Sequence, residues 1–196
     1  VAESLPLATM RDLLRYVKQG QPVKIAVVGD MGPTSKGQFQ QVLAFNWGVH
    51  SVVSTQALSD FSAWQAAIKA LDGKADVVLV LSHGSLPTGP RAAKTVPQGD
   101  VVRWIEANSK PLPIGTDIEF VQKGGGLGVA PSAQYMGEVA TTDALAWLKG
   151  KPADLPPLAK QDTRYSMAVR VSALQLRNID LPSIYIEAAR LEKLYY

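Results

Sequence analysis

The chain has 196 residues, of which 46% are hydrophobic, and this size is typical of one ordinary globular domain or of one domain with an appendage. Lys and Arg exceed Asp and Glu by only 20 − 17 = 3, and because the charges are dispersed this excess does not predict a nucleic-acid-binding surface. The sequence has no cysteine, which excludes disulfides, thiolate zinc sites and a cysteine nucleophile, and no run of 18 apolar residues that would span a membrane.

Short β-rich runs alternate with helical stretches along most of the chain. Apolar periodicity and turn residues predict, from the amino end, a helix over residues 3–18, a strand over 23–28, a helix over 35–47, a strand over 49–53, a helix over 60–71 with Asp60 as its N-cap, a strand over 76–81, a helix over 99–108, a strand over 112–115, a strand reached through 124–130 and a helix over 131–148. Five such strands indicate a Rossmann-like, three-layer α/β domain with a mainly parallel five-stranded sheet. Because right-handed crossovers bring the loops after these strands to one edge, a ligand is expected at the carboxyl ends of the strands.

The C-terminal part of the chain departs from this pattern. Residues 1–156 are expected to form a single α/β lobe, and residues 157–196 a tail. A Pro-rich connector over 151–163 leads to a strand-like run over 165–171 and to a final helix from about Pro182. The apolar positions of the tail need a covering surface, which is either the sheet of the same chain or a second copy of the protein.

A Gly-rich loop follows the first predicted strand, where phosphate-binding loops occur. Its second glycine, Gly37, is followed by Gln38 and Phe39 instead of Lys and then Ser or Thr, so a nucleoside-triphosphate site is not expected. The hydroxyl groups of Thr34 and Ser35, with the free amides at the start of the helix, are suited to hold an anion or a carboxylate.

Two aspartates, Asp30 and Asp117, each follow a predicted strand. A phosphorylation pocket of the receiver type would need adjacent acids at the first strand and a lysine after the fifth, and the sequence has neither. The two aspartates are therefore expected to cap helices or to bind the amine of a ligand.

The sequence Ser82-His83-Gly84-Ser85 follows the third predicted strand and resembles the metal-binding loop of the cobalt and sirohydrochlorin chelatases, in which the motif lies at the first strand. The only other histidine, His50, lies in the second predicted strand. A chelatase-like metal or tetrapyrrole enzyme that uses His83 is therefore one alternative, beside the commoner role of a loop imidazole as a hydrogen-bonding contact. The sequence has no Gly-x-Ser-x-Gly motif and no serine, acid and histidine in hydrolase order, so the chain is not expected to be an enzyme.

The order of these motifs resembles the second lobe and C-terminal tail of the ABC-transporter substrate-binding proteins of the tryptophan/tyrosine type, which have a type I periplasmic-binding fold. Residues 29–35 resemble the family's N-P-x-x-x-N-S loop and match it at Ser35, residues 111–117 resemble a later Pro-x-x-G-x-D, and residues 149–156 match the Lys- and Pro-bearing run that follows the last helix of the lobe. Whole members of the family have two lobes that close on the ligand like a hinge, so the resemblance implies that a first lobe is missing from this chain.

The resemblance implies a solute-binding domain of an ABC-type uptake or sensing system, with a small polar ligand such as an amino acid. The residues expected to contact the ligand are Asp30, Thr34, Ser35, Ser82, His83, Asp117, Ser132 and Tyr135. Neither a cofactor nor a metal ion is expected. The implied partners are a first lobe and a transporter permease, and the implied location is periplasmic or extracytoplasmic, with a signal peptide outside the given sequence. A purely structural module that forms a homodimer through the tail is the other alternative.

Overall fold

The computed structural model describes residues 4–150 and 164–196. The strands of these residues form one sheet in the order β2-β1-β3-β4-β5-β6, where β1 is Lys24–Asp30, β2 is Ser51–Leu58, β3 is Val77–Val80, β4 is Leu112–Gly115, β5 is Leu127–Pro131 and β6 is Tyr165–Val169. β1 to β5 are parallel, and β6 is antiparallel to β5. The predicted Rossmann-like α/β class with a mainly parallel sheet is confirmed, and the strand predicted in the tail is the sixth strand of the same sheet.

Helices cover both faces of the sheet. In chain order they are α1 (Leu7–Val17), α2 (Pro33–Ala44), α3 (Phe61–Lys69), α4 (Gln98–Asn108), α5 (Glu119–Gln122), α6 (Ala133–Leu148), α7 (Val171–Gln175) and α8 (Ser183–Leu191). One hydrophobic core lies between the sheet and α1, α2 and α8, and a second core lies between the sheet and α3, α4 and α5. The three-layer arrangement follows from these two cores.

The two cores explain the composition of the central strands. In β1, Ile25 and Val27 belong to the core under α1, α2 and α8, while Ala26 and Val28 belong to the core under α3, α4 and α5. A strand that is covered on both faces must be apolar at nearly every position, and β1 and β3 have this composition. Each fully buried Val or Ile side chain contributes roughly 1.5–3 kcal/mol through its removal from water.

Several element boundaries differ from the prediction. α2 begins at Pro33 instead of at residue 35, because proline is favoured in the first turn of a helix, and it ends at Ala44. β2 continues to Leu58, past the predicted end at residue 53. The prediction that Pro131 lies in the first turn of a helix is wrong, because Pro131 is the last residue of β5 and Ser132 is the N-cap of α6.

The tail packs on the sheet of its own chain. β6 pairs with β5, and Ile179 and Leu181 are buried in the core under α8. Arg177, just after α7, donates to Glu106 of α4 (Nη2 to Oε1, 3.2 Å) and to backbone oxygens at the carboxyl end of α4. Of the two covering surfaces considered for the tail, the structure therefore shows the sheet of the same chain. Among the aliphatic positions of the tail, Leu176, Ile184 and Leu191 stay largely exposed.

Two sequence predictions fall outside the described residues. The Pro-rich connector over 151–163, with the predicted boundary between residues 156 and 157, lies there, and so do residues 151–156 of the family-like run. Among the residues that the structure describes, no helix is long and apolar enough to cross a membrane.

Candidate functional site

β2 lies on one side of β1, and β3 lies on the other side. The chain connections after β1 and β3 therefore run in opposite directions across the sheet. At such a switch point the loops after the two strands diverge and leave a crevice at the carboxyl edge, where α/β proteins bind ligands. Main-chain hydrogen bonds hold the starts of the two loops side by side, from Leu81 N to Val28 O at 2.9 Å and from Asp30 N to Ser82 O at 2.8 Å. The two loops join β1 to α2 and β3 to α4.

Asp30 closes β1 and is buried, with 2% of its surface exposed. Its Oδ1 accepts hydrogen bonds from the backbone N–H of Gly32 at 3.0 Å and from the hydroxyl of Ser35 at 2.8 Å. Its Oδ2 accepts from the backbone N–H of Ser85 at 2.9 Å, and the Ser85 side chain also bonds to this carboxylate. The carboxylate therefore ties the start of α2 to the loop after β3, and its acceptor positions are occupied within the protein.

The surroundings of Asp30 favour its ionised form. Burial by itself raises the pKa of a carboxyl group, but the hydrogen bonds from Ser85, Ser35 and Gly32 outweigh burial and hold the pKa of Asp30 below its usual value. N–H and O–H dipoles fixed by the two loops thus stabilise the negative charge.

Ser35 is fully buried in the first turn of α2 and contacts both loops. Its Oγ lies 2.8 Å from Asp30 Oδ1 and 2.8 Å from the backbone oxygen of Ser82, so two acceptors share one hydroxyl proton. Gly29 has no room for a side chain, because an added Cβ would lie 2.9 Å from Ser35 Oγ. Gln38 accepts at Oε1 from the backbone N–H of Ser82 at 2.9 Å. In the sequence Gln38 stands out only as a departure from a phosphate loop, although its spacing of three residues from Ser35 places both on one helix face.

His83 lies inside the protein beside this network. Only 4% of its surface is exposed, and its Nδ1 is 3.1 Å from the backbone oxygen of Leu81. The centroid of its ring is 6.1 Å from that of Trp64 in α3 and 6.5 Å from that of Phe120 in α5. Across residues 4–150 and 164–196, no group of three or more His, Cys, Asp or Glu side chains is placed to hold a metal ion. The imidazole thus packs among aromatic rings beneath the carboxyl edge.

Three further predicted residues, Asp117, Ser132 and Tyr135, lie after β4 and β5. Asp117 accepts at Oδ1 from the backbone N–H of Phe120 at 2.7 Å and so closes the turn that starts α5. Ser132 caps α6, because its Oγ accepts from the backbone N–H of Tyr135 at 3.4 Å. The guanidinium of Arg164, which the sequence pattern does not single out, lies 4.2 Å from the centroid of the Tyr135 ring as a cation–π contact.

The structure brings part of the predicted set together. Hydrogen bonds join Asp30, Ser35 and Ser82 into one network, while Asp117 and Ser132 bond to the starts of their own helices.

At the start of α2, Thr34 and Lys36 are exposed. The backbone N–H of Lys36 donates to the backbone oxygen of Gly32 at 3.1 Å, while the N–H groups of Thr34 and Ser35 belong to the first turn and have no acceptor within the helix. This edge can donate hydrogen bonds to a polar or anionic group. The contacts of the predicted residues with a ligand stay predictions.

Comparison with known proteins places the fold. No protein-family model and no curated protein matches the chain. Among solved structures, the ABC domain in complex with L-Trp from Streptococcus pneumonia matches with a TM-score of 0.65 at 18% identity, over 94% of this chain and 60% of that one. A conserved domain protein from Vibrio cholerae O1 biovar eltor matches with a TM-score of 0.60 at 16% identity, over 95% of this chain and 60% of that one. The chain therefore shares its fold with these two proteins and spans about 60% of the length of each.

Proposed function

We propose that this chain is a solute-binding domain of an ABC-type uptake or sensing system, and that it binds a small polar ligand, such as an amino acid, at the carboxyl edge between β1 and β3. The observation that carries the proposal is the fold shared with a domain that is in complex with L-Trp. The hydrogen-bonded network at the strand switch point supports it, because it holds the β1–α2 and β3–α4 loops in one arrangement at the edge where such folds bind ligands.

A binding role fits this edge better than catalysis. The buried acid, Asp30, is held ionised by internal donors, and His83 is packed beneath the edge with its Nδ1 bonded to a backbone oxygen. A general acid or base must reach the reacting group, and these two side chains are engaged elsewhere. The proposal is therefore that the chain is not an enzyme.

The carboxylate of an amino-acid ligand is expected at the start of α2. The amides of the first turn point out of the helix, and its dipole favours a negative charge there. Thr34 is exposed in this turn and would add a hydroxyl donor. This geometry makes Thr34 the side chain whose loss should weaken binding without disturbing the buried network.

The proposal extends to a larger assembly. Because the chain spans about 60% of each matched structure, a further lobe would supply the other wall of the cleft. The loaded domain would deliver its ligand to a permease from a periplasmic or extracytoplasmic compartment.

Titration of the ¹⁵N-labelled chain with each of the twenty amino acids at millimolar concentration tests the proposal. We expect at least one of them to shift the backbone amide signals of Thr34, Ser35, Ser82 and Ser85. The Thr34→Ala variant should bind that ligand roughly two- to twelvefold more weakly, as for the loss of one neutral hydrogen bond. The matched control is Ser172→Ala, which deletes an exposed hydroxyl group of α7 and should leave the affinity unchanged. The proposal fails if no amino acid moves these four signals, or if the shifts fall on another part of the chain.

A further inference from the structure

The helix α6 differs from every other helix of the described residues, because none of its side chains is buried. Each of the other seven helices contributes at least one buried residue, and neither hydrophobic core includes a residue of α6. Yet α6 is 16 residues long and ends in Trp147 and Leu148, with 68% and 79% of their surfaces exposed. Helices of globular proteins are held mainly by an apolar face packed on a neighbour. The composition of α6 therefore calls for a partner beyond the described residues.

Six apolar residues of α6 form one continuous face. With 3.6 residues per turn, their spacing places them within roughly one third of the helix circumference. They are Ala133, Met136, Ala140, Ala144, Trp147 and Leu148. No charged residue lies within this apolar face, and an added Cβ at Gly137, on the same side of the helix, would meet no atom within 4 Å. The apolar face is therefore open, and its partner must be apolar too.

The apolar face is complementary to itself when two copies of α6 run antiparallel and cross at Ala140. Met136 of one copy then lies opposite Ala144 of the other. Trp147 likewise lies opposite Ala133, so each of these large side chains meets a small one. Large side chains facing small ones let two helices approach closely without voids. A parallel pair would instead place Trp147 on Trp147 and align the two helix dipoles side by side.

The charges beside the apolar face fit the same arrangement. Asp143 lies at the rim of the face, and the antiparallel pair brings it within one helical turn of Tyr135 in the other copy. The guanidinium of Arg164 lies 4.2 Å from the centroid of the Tyr135 ring. Because a twofold axis repeats every contact, this approach of opposite charges occurs on both sides of the crossing point.

We propose that α6 is an interaction surface for a second copy of this chain, and that the two α6 helices pack antiparallel about a twofold axis at Ala140. The two apolar faces would bury roughly 1,000 Å² in total, near the lower limit for a specific interface, so we expect a weak dimer with a Kd on the order of 50 μM. The pairing is independent of the proposed function, because α6 follows β5, which β4 separates from the β1–β3 crevice.

Sedimentation equilibrium of the full chain, without any ligand, tests the proposal. The weight-average mass should rise from that of a monomer at about 2 μM to mostly that of a dimer at about 500 μM. Ala140 faces its own copy across the axis, so Ala140→Glu and Ala140→Lys each place two like charges at the crossing point. Each variant alone should dimerise about tenfold more weakly or worse, and an equimolar mixture of the two should associate again, because opposite charges then meet.

Matched controls come from the other surfaces of the molecule. Thr142 is exposed on the side of α6 opposite the apolar face, so Thr142→Glu and Thr142→Lys should associate like the wild type. Leu191→Glu changes an exposed apolar residue of the tail and should also leave the dimer intact. Trp147→Ala removes the large side chain opposite Ala133 without adding a charge, and it should weaken the dimer about fivefold.

The proposal is overturned if the wild type stays monomeric at about 500 μM, a result that would leave α6 to a different polypeptide such as a further lobe. It is also overturned if the folded Ala140 variants associate as well as the wild type, if their mixture stays monomeric, or if Leu191→Glu abolishes the dimer. Circular dichroism shows whether the charged variants fold. If they do not, an unchanged dimer in Trp147→Ala overturns the proposal.

Discussion

Replacement of Asp30 with Asn tests whether this carboxylate holds the β1–α2 and β3–α4 loops together. The two side chains have the same shape, but one oxygen becomes an NH₂ group, which cannot accept a hydrogen bond. In the wild type, donors on Gly32, Ser35 and Ser85 approach the carboxylate to between 2.8 and 3.0 Å. Whichever way the amide is turned, at least one of these donors faces another donor.

The magnitude follows from the burial of the site. A hydrogen bond to a charged group contributes about 1.5–3 kcal/mol, and a buried donor left unpaired costs about 1–3 kcal/mol. We therefore expect Asp30→Asn to lower the free energy of unfolding by about 2–4 kcal/mol at pH 7. Because the pKa of Asp30 is lowered in the folded state, its contribution is complete above the usual value of 3.8 and is lost as the pH falls through the folded value. The difference between the two proteins should be constant at neutral pH and should narrow below about pH 4.

Urea unfolding followed by tryptophan fluorescence, repeated from pH 7 to pH 3, measures this difference. Asp72→Asn is the matched control, because Asp72 is an exposed aspartate after α3 with no side-chain hydrogen bond to any described residue. The role given to Asp30 is refuted if Asp30→Asn changes the free energy of unfolding by less than about 0.5 kcal/mol, the usual effect of a surface substitution. If the difference in free energy of unfolding between wild type and Asp30→Asn does not narrow below about pH 4, the conclusion that Asp30 is ionised in the folded protein is refuted.

Three further predictions concern the tail, the strand β5 and the alternative function. Arg177→Ala should lower the free energy of unfolding in urea by about 2–4 kcal/mol, because its carboxylate partner on α4 and the end of that helix lose their donors. The exposed Arg190→Ala should change it little. Gly128→Ala should destabilise the protein by about 1–3 kcal/mol in the same assay, since the added Cβ would lie 2.7 Å from the backbone oxygen of Asp117. Gly137→Ala is its control: an added Cβ meets no atom within 4 Å, and alanine favours the helix over glycine, so this change should stabilise the protein by roughly 0.5–1 kcal/mol. In calorimetric titration with cobalt or nickel, His83→Ala should leave any binding unchanged, and abolition of tight binding would favour the chelatase-like alternative.

The parts of the fold that depend on residues close together in the sequence could be predicted. Asp60 is the N-cap of α3 and accepts from the backbone N–H of Ala63 at 3.0 Å, because the capping pattern spans only three residues. The nearly unbroken apolar run of β3 likewise identifies a strand that is buried on both faces. In both cases the physical cause lies within the segment itself.

The contacts that build the candidate site could not be predicted in the same way. Ser35 and Ser82 are 47 residues apart and meet only because β1 and β3 pair in the sheet. Glu106 and Arg177 are 71 residues apart and meet only because β6 pairs with β5 and brings the tail back to the sheet. The sequence singles out Asp30, but not the fact that its carboxylate is engaged within the protein, because that depends on the loop after β3.

The engagement of Asp30 constrains how a zwitterionic ligand would lie at this edge. An ammonium group that bonded to Asp30 would have to displace a donor of Gly32, Ser35 or Ser85. The displaced donor would be left unpaired, and this loss would offset part of the free energy of binding. Asp117 differs, since Oδ1 accepts from the start of α5 and Oδ2 has no hydrogen-bond partner among the described residues. A ligand carboxylate beside the exposed Thr34 at the start of α2 would break none of the hydrogen bonds to Asp30. We therefore expect the acidic end of the ligand to point towards α2 and the cationic end towards α5, with Asp30 acting on affinity through the loops that it holds.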